Sequence, residues 1–335
     1  MALTISDIAK LSDVSTATVS RVINTPEKVS ESTRKKVMEV IEKHNYQPNG
    51  LAQSFRTKKS KTLALFIYDI DNPFYAKLIK ELNKMAFDRD YTLIICDTEN
   101  NKDRELEYIN YINQNKIEGL IMTEGISTDH FNKLNNNMYL VCIDRDLDCE
   151  LPYLRVTTNN RESVAKAIEY LVNLNHKKIA FVSGPKDVKT SIERKNGYLD
   201  IIKKYELPVD GDYIYQGDFK RESGSNALDY FLSLSELPSA IFCSNDLMAE
   251  GLLARALSLN IDIPNELSLI GFDGVSKALY KPLTTIKQDI HGIAKTSING
   301  LISMIEGGVK GNTVKEISGE FLIGETCRRL KSGEE

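Results

Sequence analysis

Residues 4–24 read TISDIAKLSDVSTATVSRVIN, and this stretch decides the fold of the first part of the chain. Thr4 is followed three residues later by Asp7, a capping-box-like pair that predicts a helix over residues 5–11. A short turn follows, and Ser15 is placed to cap a second helix. Two short helices joined by a tight turn form a helix-turn-helix.

A third helix and a shared apolar core are expected to complete this small unit. Ser30 is placed to cap a helix over residues 31–44. The small side chain of Ala9 suits the place where the first two helices approach each other. The side chains expected to face inward are Ile8, Ala9, Leu11, Val19, Val22, Ile23, Val37, Val40 and Ile41.

The outward face of the second helix suits DNA. Recognition helices present their first residues to base edges in the major groove, and here these are Thr16 and Ala17, with Arg21 one turn later. Two hydrogen bonds from Arg21 to guanine O6 and N7 are worth about 1–3 kcal/mol of discrimination. Further predicted DNA-binding residues are the polar side chains of Thr4, Ser15, Thr18, Ser20 and Asn24.

The charge of the chain is unevenly distributed. The 335 residues have a formal net charge of -4, yet residues 1–61 carry 11 Lys or Arg against 6 Asp or Glu. A basic head on an acidic body is typical of a phosphate-binding module attached to a carrier. A protein-binding three-helix bundle is the alternative interpretation of the head.

The head continues into residues 29–65, VSESTRKKVMEVIEKHNYQPNGLAQSFRTKKSKTLAL. With the first stretch, this segment resembles the N-terminus of the lactose-repressor (LacI/GalR) family of bacterial transcription regulators. The resemblance implies that residues 48–57 form a linker that folds into a hinge helix on DNA, where one hinge from each subunit inserts an apolar wedge into the minor groove. The hinge residues that it assigns to DNA binding are Asn49, Ala52, Gln53 and Phe55.

Two hinge residues depart from the family pattern. Gln53 stands where the family usually has arginine, and Phe55 stands where it has the wedging leucine. Because phenylalanine also intercalates, we expect kinking of the DNA to be retained, while the preferred central base step is open to change.

From residue 62 onward, short apolar runs alternate with amphipathic helices, which is typical of doubly wound α/β sheets. The series pauses around residues 154–160 and restarts, which predicts two similar lobes. The resemblance implies a periplasmic-binding-protein type I body. Predicted strands cover residues 63–68, 92–96, 119–122, 140–143, 178–183, 240–244 and 267–272, and predicted helices cover residues 75–87, 104–115, 161–174, 191–205, 222–234 and 246–259.

The predicted fold class is α/β, with an all-α head before the two-lobed body. The resemblance implies crossing strands between the lobes near Val156, Ile286 and Leu322. The predicted limits are 1–47 for the helix-turn-helix domain, 48–60 for the hinge and 61–335 for the body, with the N-lobe at about 61–158 and 289–320 and the C-lobe at about 159–288 and 321–335.

Polar and aromatic residues follow the predicted strands of the body at the edge where open α/β sheets bind ligands. A sugar ring has apolar faces, on which aromatic side chains pack, and an equator of hydroxyls, which Asp, Asn, Arg and Gln bind. The candidate effector-binding residues are Asn72, Phe74, Tyr75, Asp144, Arg145, Arg194, Phe219, Asn245, Asp273 and Gln288.

This set resembles the pocket of ribose-type repressors, with Tyr75 where phenylalanine is usual. Two acids disfavour a phosphorylated sugar, so we expect a free monosaccharide, with ribose as the first candidate. Structural alternatives are open, since Asp144 and Asp273 also suit helix caps and Arg194 also suits a surface ion pair. Asp246 is expected to be a cap or a local support and not a ligand contact.

The sequence disfavours several other classes of protein. We find no GxGxxG after the first strand, no GxxxxGK[ST], no GxSxG and no metal-like spacing of the four histidines, so neither an enzyme nor a cofactor or metal site is expected. No membrane-spanning run or signal peptide is evident, and the five cysteines form no CxxC pair, so a cytoplasmic protein is expected. A secreted sugar-binding protein is the alternative, but it should lack the basic head.

The predicted function is a homodimeric repressor of a sugar-utilisation operon. Two heads bind a palindromic operator, and a monosaccharide bound between the lobes releases it through a coupling of about 1–3 kcal/mol. The resemblance leaves open whether the effector acts as inducer or corepressor. The alternative is a catabolite-control-type regulator whose DNA binding is enhanced by a corepressor or a phosphocarrier partner.

Overall fold

The chain forms two compact units, Met1–Ser60 and Lys61–Glu335, which we call the head and the body. The computed structural model describes residues 3–46, 60–67, 69–99, 101–123, 128–135, 138–147, 151–208, 211–277, 281–308 and 312–331.

Within the described part of the head there are three α-helices, and each begins after a capping residue predicted from the sequence. Thr4 and Asp7 form a complete capping box, since the Thr4 side chain accepts from the Asp7 amide and Asp7 accepts from the Thr4 amide. The Ser15 and Ser30 side chains accept backbone N–H groups three residues later. The helices are α1 (Ile5–Leu11), α2 (Thr16–Asn24) and α3 (Glu31–Lys43).

The core of the head confirms all but one of the predicted inward positions. Ile8, Ala9, Val19, Val22 and Val37 are buried, and Ile23, Val40 and Ile41 are partly buried against them. Leu11 is half exposed, so its predicted burial is wrong. With about 100° between successive helical residues, Ile8, Ala9 and Ser12 share one side of α1, and buried Ser12 takes the place expected for Leu11.

The first lobe of the body, the N-lobe, is built on a six-stranded parallel sheet. Apolar clusters cover both faces of this sheet, as parallel strands require. In spatial order, the strands are β11 (Thr313–Ile317), β5 (Tyr153–Thr158), β4 (Tyr139–Ile143), β3 (Gly119–Met122), β1 (Thr62–Ile67) and β2 (Thr92–Asp97), and the helices are α4 (Pro73–Phe87), α5 (Lys102–Gln114), α6 (Thr128–Phe131) and α11 (Ile290–Ile305).

The second lobe, the C-lobe, repeats this plan, with one antiparallel strand at its edge. Apolar clusters again cover both faces of the sheet. In spatial order, the strands are β12 (Glu320–Leu322), β10 (Thr284–Lys287), β9 (Ser268–Asp273), β8 (Ala240–Cys243), β6 (Ile179–Ser183) and β7 (Ile214–Gln216), and the helices are α7 (Asn160–Asn173), α8 (Lys189–Lys204), α9 (Arg221–Leu232) and α10 (Asp246–Ser258).

The chain passes between the two sheets three times. It leaves the N-lobe sheet after β5, returns to the N-lobe through α11 after β10, and goes from β11 to β12. These crossings bring the carboxyl ends of strands from both sheets to one cleft, where ligands of open α/β sheets bind.

All seven predicted strands and all six predicted body helices are present, with boundaries shifted by one or two residues. Local patterning did not predict β7, β11, α6 or α11, whereas β5, β10 and β12 contain Val156, Ile286 and Leu322, near which the resemblance implied crossing strands. β5 alternates polar and apolar residues in YLRVTT, and β7 and β12 have only three residues each. None of these three strands therefore gives a continuous apolar run.

Candidate effector cavity and DNA-binding helix

A cleft lies in the body where the two sheets present the carboxyl ends of their strands. Both lobes contribute side chains to it. Its walls are formed by Asn72, Phe74, Tyr75, Thr123, Ile143, Asp144, Thr190, Arg194, Phe219, Asn245, Asp273 and Gln288.

Nine of the ten effector-binding candidates line this cleft, and Arg145 does not. Asp144, the residue before Arg145, has a left-handed backbone with φ 57°. The Arg145 guanidinium carbon lies 5.6 Å from the ring centroid of Phe131, in a cation–π contact on the other face of the N-lobe sheet. The placement of Arg145 in the pocket is therefore corrected.

The first aromatic wall begins at Asn72. The Asn72 Oδ1 atom caps α4 by accepting from the Phe74 amide at 2.9 Å. Phe74 and Tyr75 meet edge to face, with ring centroids 5.4 Å apart. Phe74 is buried and also belongs to the core of the N-lobe, so its ring is held in one place.

The second aromatic wall is the Phe219 ring. Phe219 has a left-handed backbone with φ 69°, and its carbonyl accepts from Asn245 Nδ2 at 2.8 Å. Asn245 Oδ1 accepts from the Met248 amide and caps α10. Both polar atoms of Asn245 are thus engaged, and this residue holds Phe219 as well as lining the cleft.

Asp144 is a buried carboxyl supported from β5. Its Oδ1 accepts from Thr157 Oγ1 at 2.8 Å and from the Thr158 amide at 3.2 Å. Burial raises the pKa of Asp144, while Arg194 and these two hydrogen bonds oppose the rise. Its partners lie on β5, where the resemblance implied a crossing strand near Val156, and Asp144 is not a helix cap.

Arg194 is fully enclosed, contrary to the surface ion pair considered from the sequence. Its Nε donates to Asn160 Oδ1 at 2.9 Å, and its Nη1 donates to the Ser244 carbonyl at 2.6 Å. The guanidinium carbon lies 3.7 Å from the ring centroid of Phe272, so the cation is stacked as well as hydrogen-bonded.

Asp273 faces Arg194 from the end of β9. Gln288 Nε2 donates to Asp273 Oδ1 at 2.8 Å, and Thr158 Oγ1 donates to Gln288 Oε1 at 2.6 Å. Burial raises the pKa of Asp273 to about 7, although Arg194 lowers it. Gln288 therefore orients the carboxyl and links it to the other lobe.

Asp246 behaves as a local support. Its Oδ2 accepts from the amides of Val275 and Ser276, and its Oδ1 accepts from Thr285 Oγ1 at 2.7 Å. Burial raises the pKa of Asp246 to about 6. Because Asp246 holds the turn that follows Asp273, it shapes the cavity without lining it.

The exposed side of α2 carries the predicted base-reading residues. Thr16, Ala17 and Arg21 are all exposed. Several predicted DNA-binding side chains also have structural roles. Thr4 and Ser15 cap α1 and α2, the hydroxyls of Ser15 and Thr18 lie 2.9 Å apart, and Asn24 Nδ2 donates to the Ser20 carbonyl at 2.7 Å.

The predicted hinge lies outside the described residues. This applies to its four DNA-binding candidates, Asn49, Ala52, Gln53 and Phe55. Within the described ranges, no three His, Cys, Asp or Glu side chains are grouped to hold a metal ion. No helix in those ranges is long and apolar enough to cross a membrane.

Two family profiles match the chain. Residues 4–49 match the profile described as bacterial regulatory proteins, lacI family, and residues 168–327 match a periplasmic binding protein-like domain. The first match falls on the head, and the second covers most of the C-lobe together with α11 and β11 of the N-lobe.

Curated relatives and a solved structure match nearly the whole chain. The HTH-type transcriptional repressor PurR of Aliivibrio salmonicida is 30% identical over 98% of this chain and 99% of its own length. Catabolite control protein A of Priestia megaterium is 33% identical over 89% of this chain and 91% of its own. The crystal structure of the Lac repressor dimer bound to operator and the anti-inducer ONPF is 23% identical, covers 98% of this chain and 100% of that one, and has a TM-score of 0.86, which shows the same fold. The first of these relatives is named a transcriptional repressor, and this agrees with the prediction of a regulator.

Proposed function

The chain belongs to the lacI family of bacterial regulatory proteins, and from this premise we propose that it is a homodimeric, cytoplasmic repressor of a sugar-utilisation operon. A free monosaccharide, with ribose as the first candidate, binds between the lobes and releases the protein from a palindromic operator. The observation that carries the effector part of the proposal is the arrangement of two carboxyls and one guanidinium around the cleft.

The two carboxyls each keep one oxygen for a ligand. Oδ1 of Asp144 and Oδ1 of Asp273 accept hydrogen bonds from the protein. Within the described residues, Oδ2 of neither aspartate accepts one. Arg194 uses its Nε hydrogen and one Nη1 hydrogen, so Nη2 and the second Nη1 hydrogen are the donors left for the cleft within the same residues. Two acceptors and a planar donor suit vicinal hydroxyls, each of which both donates and accepts.

The remaining walls of the cleft suit the faces of a sugar ring. Phe74 and Tyr75 form one aromatic wall, and Phe219 forms another. Aromatic rings pack on the apolar face of a sugar while its hydroxyls reach the polar rim. A phosphate would face Asp144 and Asp273, and a single buried guanidinium would have to offset both carboxyls. We therefore favour an uncharged monosaccharide.

The DNA-binding part of the proposal rests on α2. Its exposed Thr16, Ala17 and Arg21 occupy the positions that a recognition helix presents to the major groove. Two copies of the head would bind two half-sites, and Phe55 of each hinge would open the central base step. Effector and operator favour different states of the body, and a coupling of about 1–3 kcal/mol changes affinity about 5- to 150-fold.

Calorimetric titration with a panel of pentoses, hexoses and their phosphates tests the effector, and mobility shift on operator-like duplexes tests the coupling. We expect one free monosaccharide to bind and to weaken the DNA complex. A protein that holds DNA equally tightly with every sugar in the panel would refute the inducer, and preferential binding of a phosphorylated sugar would refute the chemistry assigned to the cleft.

A second candidate function is favoured by the relative named catabolite control protein A. In this version, a partner protein or a corepressor strengthens DNA binding. The discriminating measurement is operator affinity with a phosphorylated phosphocarrier protein and with free sugar in separate titrations. An increase with the carrier alone favours the second function, and a decrease with sugar alone favours the first.

A further inference from the structure

Four charged side chains meet beside the effector cleft, two from each lobe. Asp146 follows β4 and Arg155 lies on β5, both in the N-lobe, whereas Lys189 and Glu193 lie on the first turns of α8 in the C-lobe. We propose that these four residues form an interlobe ion quartet that holds the lobes together and sets how readily the cleft opens.

The quartet is a closed ring in which each cation contacts both anions. The Arg155 guanidinium donates from Nη2 to Glu193 Oε1 at 3.1 Å and lies 2.8 Å from Asp146 Oδ1 through Nη1. The Lys189 ammonium donates to Asp146 Oδ2 and lies 3.9 Å from Glu193 Oε1. Charges therefore alternate in sign around the ring.

Burial strengthens one side of this ring. The side chain of Arg155 is 11% exposed and that of Glu193 is 26% exposed, so water screens their contact only in part. Lys189 and Asp146 are more open, with 34% and 52% of their side chains exposed. An exposed pair within one rigid lobe contributes equally to open and closed states, whereas two of the four contacts here, Arg155–Glu193 and Lys189–Asp146, cross between the lobes and are lost on opening.

The quartet also reaches the cleft. Glu193 uses its second oxygen, Oε2, to accept from Asn160 Nδ2 at 2.9 Å, and Asn160 Oδ1 accepts from Arg194 Nε at 2.9 Å. Glu193 is thus a positioning residue for Arg194, which lines the cleft. The ion quartet does not depend on the identity of the effector, but its effect on effector affinity rests on the proposed function.

Hydrogen–deuterium exchange of the full-length protein without ligand tests whether the ion quartet holds the lobes together. We expect Lys189→Met and Asp146→Asn each to raise amide exchange in residues 153–158 and 189–195 by about 2- to 5-fold, the range for partly exposed ion pairs. The double variant should exceed the larger single effect only slightly, because the two residues form one pair. Salt at about 0.5 M should raise exchange in the wild type and narrow the difference from the variants.

Arg161→Met is the matched control, because the Arg161–Asp200 pair joins α7 and α8 within the C-lobe alone. Exchange in residues 153–158 should not change in this variant. An equal rise of amide exchange in the control variant, or fully additive effects of the two quartet variants, would overturn the proposal that the quartet holds the lobes together.

Titration with D-ribose tests the link between the quartet and Arg194. Glu193→Gln should weaken ribose binding about 5-fold at low salt and less at high salt, whereas a residue with only a packing role would show no such salt dependence. Unchanged affinity in this variant overturns the link to Arg194. A wild-type protein that does not bind ribose overturns the proposed effector. The exchange measurements still decide whether the quartet holds the lobes together.

Discussion

The Nη1 atom of Arg194 lies 4.0 Å from Oδ1 of Asp273, and both side chains are more than nine-tenths buried. The two groups come from α8 and from the end of β9, so the pair exists only when these elements are packed together. At this distance the charges attract without a direct hydrogen bond, and each retains capacity for a ligand that lies between them.

Arg194→Lys is expected to abolish the response to sugar. Lysine cannot donate in the planar pattern by which Arg194 contacts Asn160 and the Ser244 carbonyl. Loss of hydrogen bonds from a charged donor should weaken effector binding by about 2–3 kcal/mol, or about 30- to 150-fold. Calorimetry with the sugar that binds the wild type measures this, and operator affinity without sugar should be unchanged. Arg161→Lys, on the surface of the same lobe, is the control.

Stability of the ligand-free protein should fall as pH rises from about 5 to 8. The folded pKa values of Asp273 and Asp246, about 7 and about 6, lie above the ordinary value for aspartate. The folded state therefore binds protons more readily than the unfolded state, and this contribution is present at low pH and lost as pH rises through the folded pKa values. Urea unfolding of the wild type and of Asp273→Asn at several pH values measures it.

Asp273→Asn should flatten that profile and raise stability at pH 8, because the amide is neutral throughout. Asp200→Asn is the opposite control, since the hydrogen bond from Arg161 lowers the pKa of Asp200. A steeper decline in the Asp273→Asn protein than in the wild type would contradict the assignment.

Arg21→Ala should change DNA specificity without changing stability. Arg21 is exposed, and surface truncations of this kind usually alter the free energy of unfolding by no more than about 0.5 kcal/mol. Loss of a bidentate contact to guanine should remove about 1–3 kcal/mol of discrimination at one position of each half-site. Binding to a set of single-base operator variants measures this loss, and uniform weakening across the set would indicate a phosphate contact instead.

Thr4→Ala provides the complementary result in the head. It breaks the capping box with Asp7 and should lower stability by about 0.5–2 kcal/mol. Its base preference should match that of the wild type. A changed base preference would show that Thr4 reads DNA in addition to starting α1.

Gly184→Ala should weaken effector binding by 10-fold or more. A Cβ atom at Gly184 would lie 2.2 Å from Phe219 Cζ and 2.4 Å from Ser191 Oγ, so the aromatic wall would have to move. Gly211→Ala is the matched control, because a Cβ atom there meets nothing within 4 Å. Thermal unfolding of both variants would separate a shifted wall from a lost fold, and unchanged sugar affinity in folded Gly184→Ala would refute the role of Phe219.

Local patterns predicted much of this protein. The caps of α1 and α2, the seven apolar strands and the position of Asp144 and Asp273 at strand ends all depend on neighbours a few residues away. Parallel strands bring their carboxyl ends to one edge, so nine of the ten candidates could be assigned to one cleft before any side chain was placed.

Other features depend on residues that are far apart in the chain. Asn160 is not among the candidate effector-binding residues, but it joins Arg194 to Glu193. Leu11 is half exposed at the end of α1, and Arg145 contacts the Phe131 ring instead of lining the cleft.

The amino-acid sequence by itself determined which residues begin helices, which runs are buried strands and which side chains end at the ligand edge, because capping and periodicity are short-range effects. Only the tertiary structure decided which polar atoms are already satisfied and which charges meet across the lobes. Hydrogen bonds and ion pairs depend on distances of a few ångströms between elements separated by tens to more than a hundred residues, and no local pattern specifies those distances.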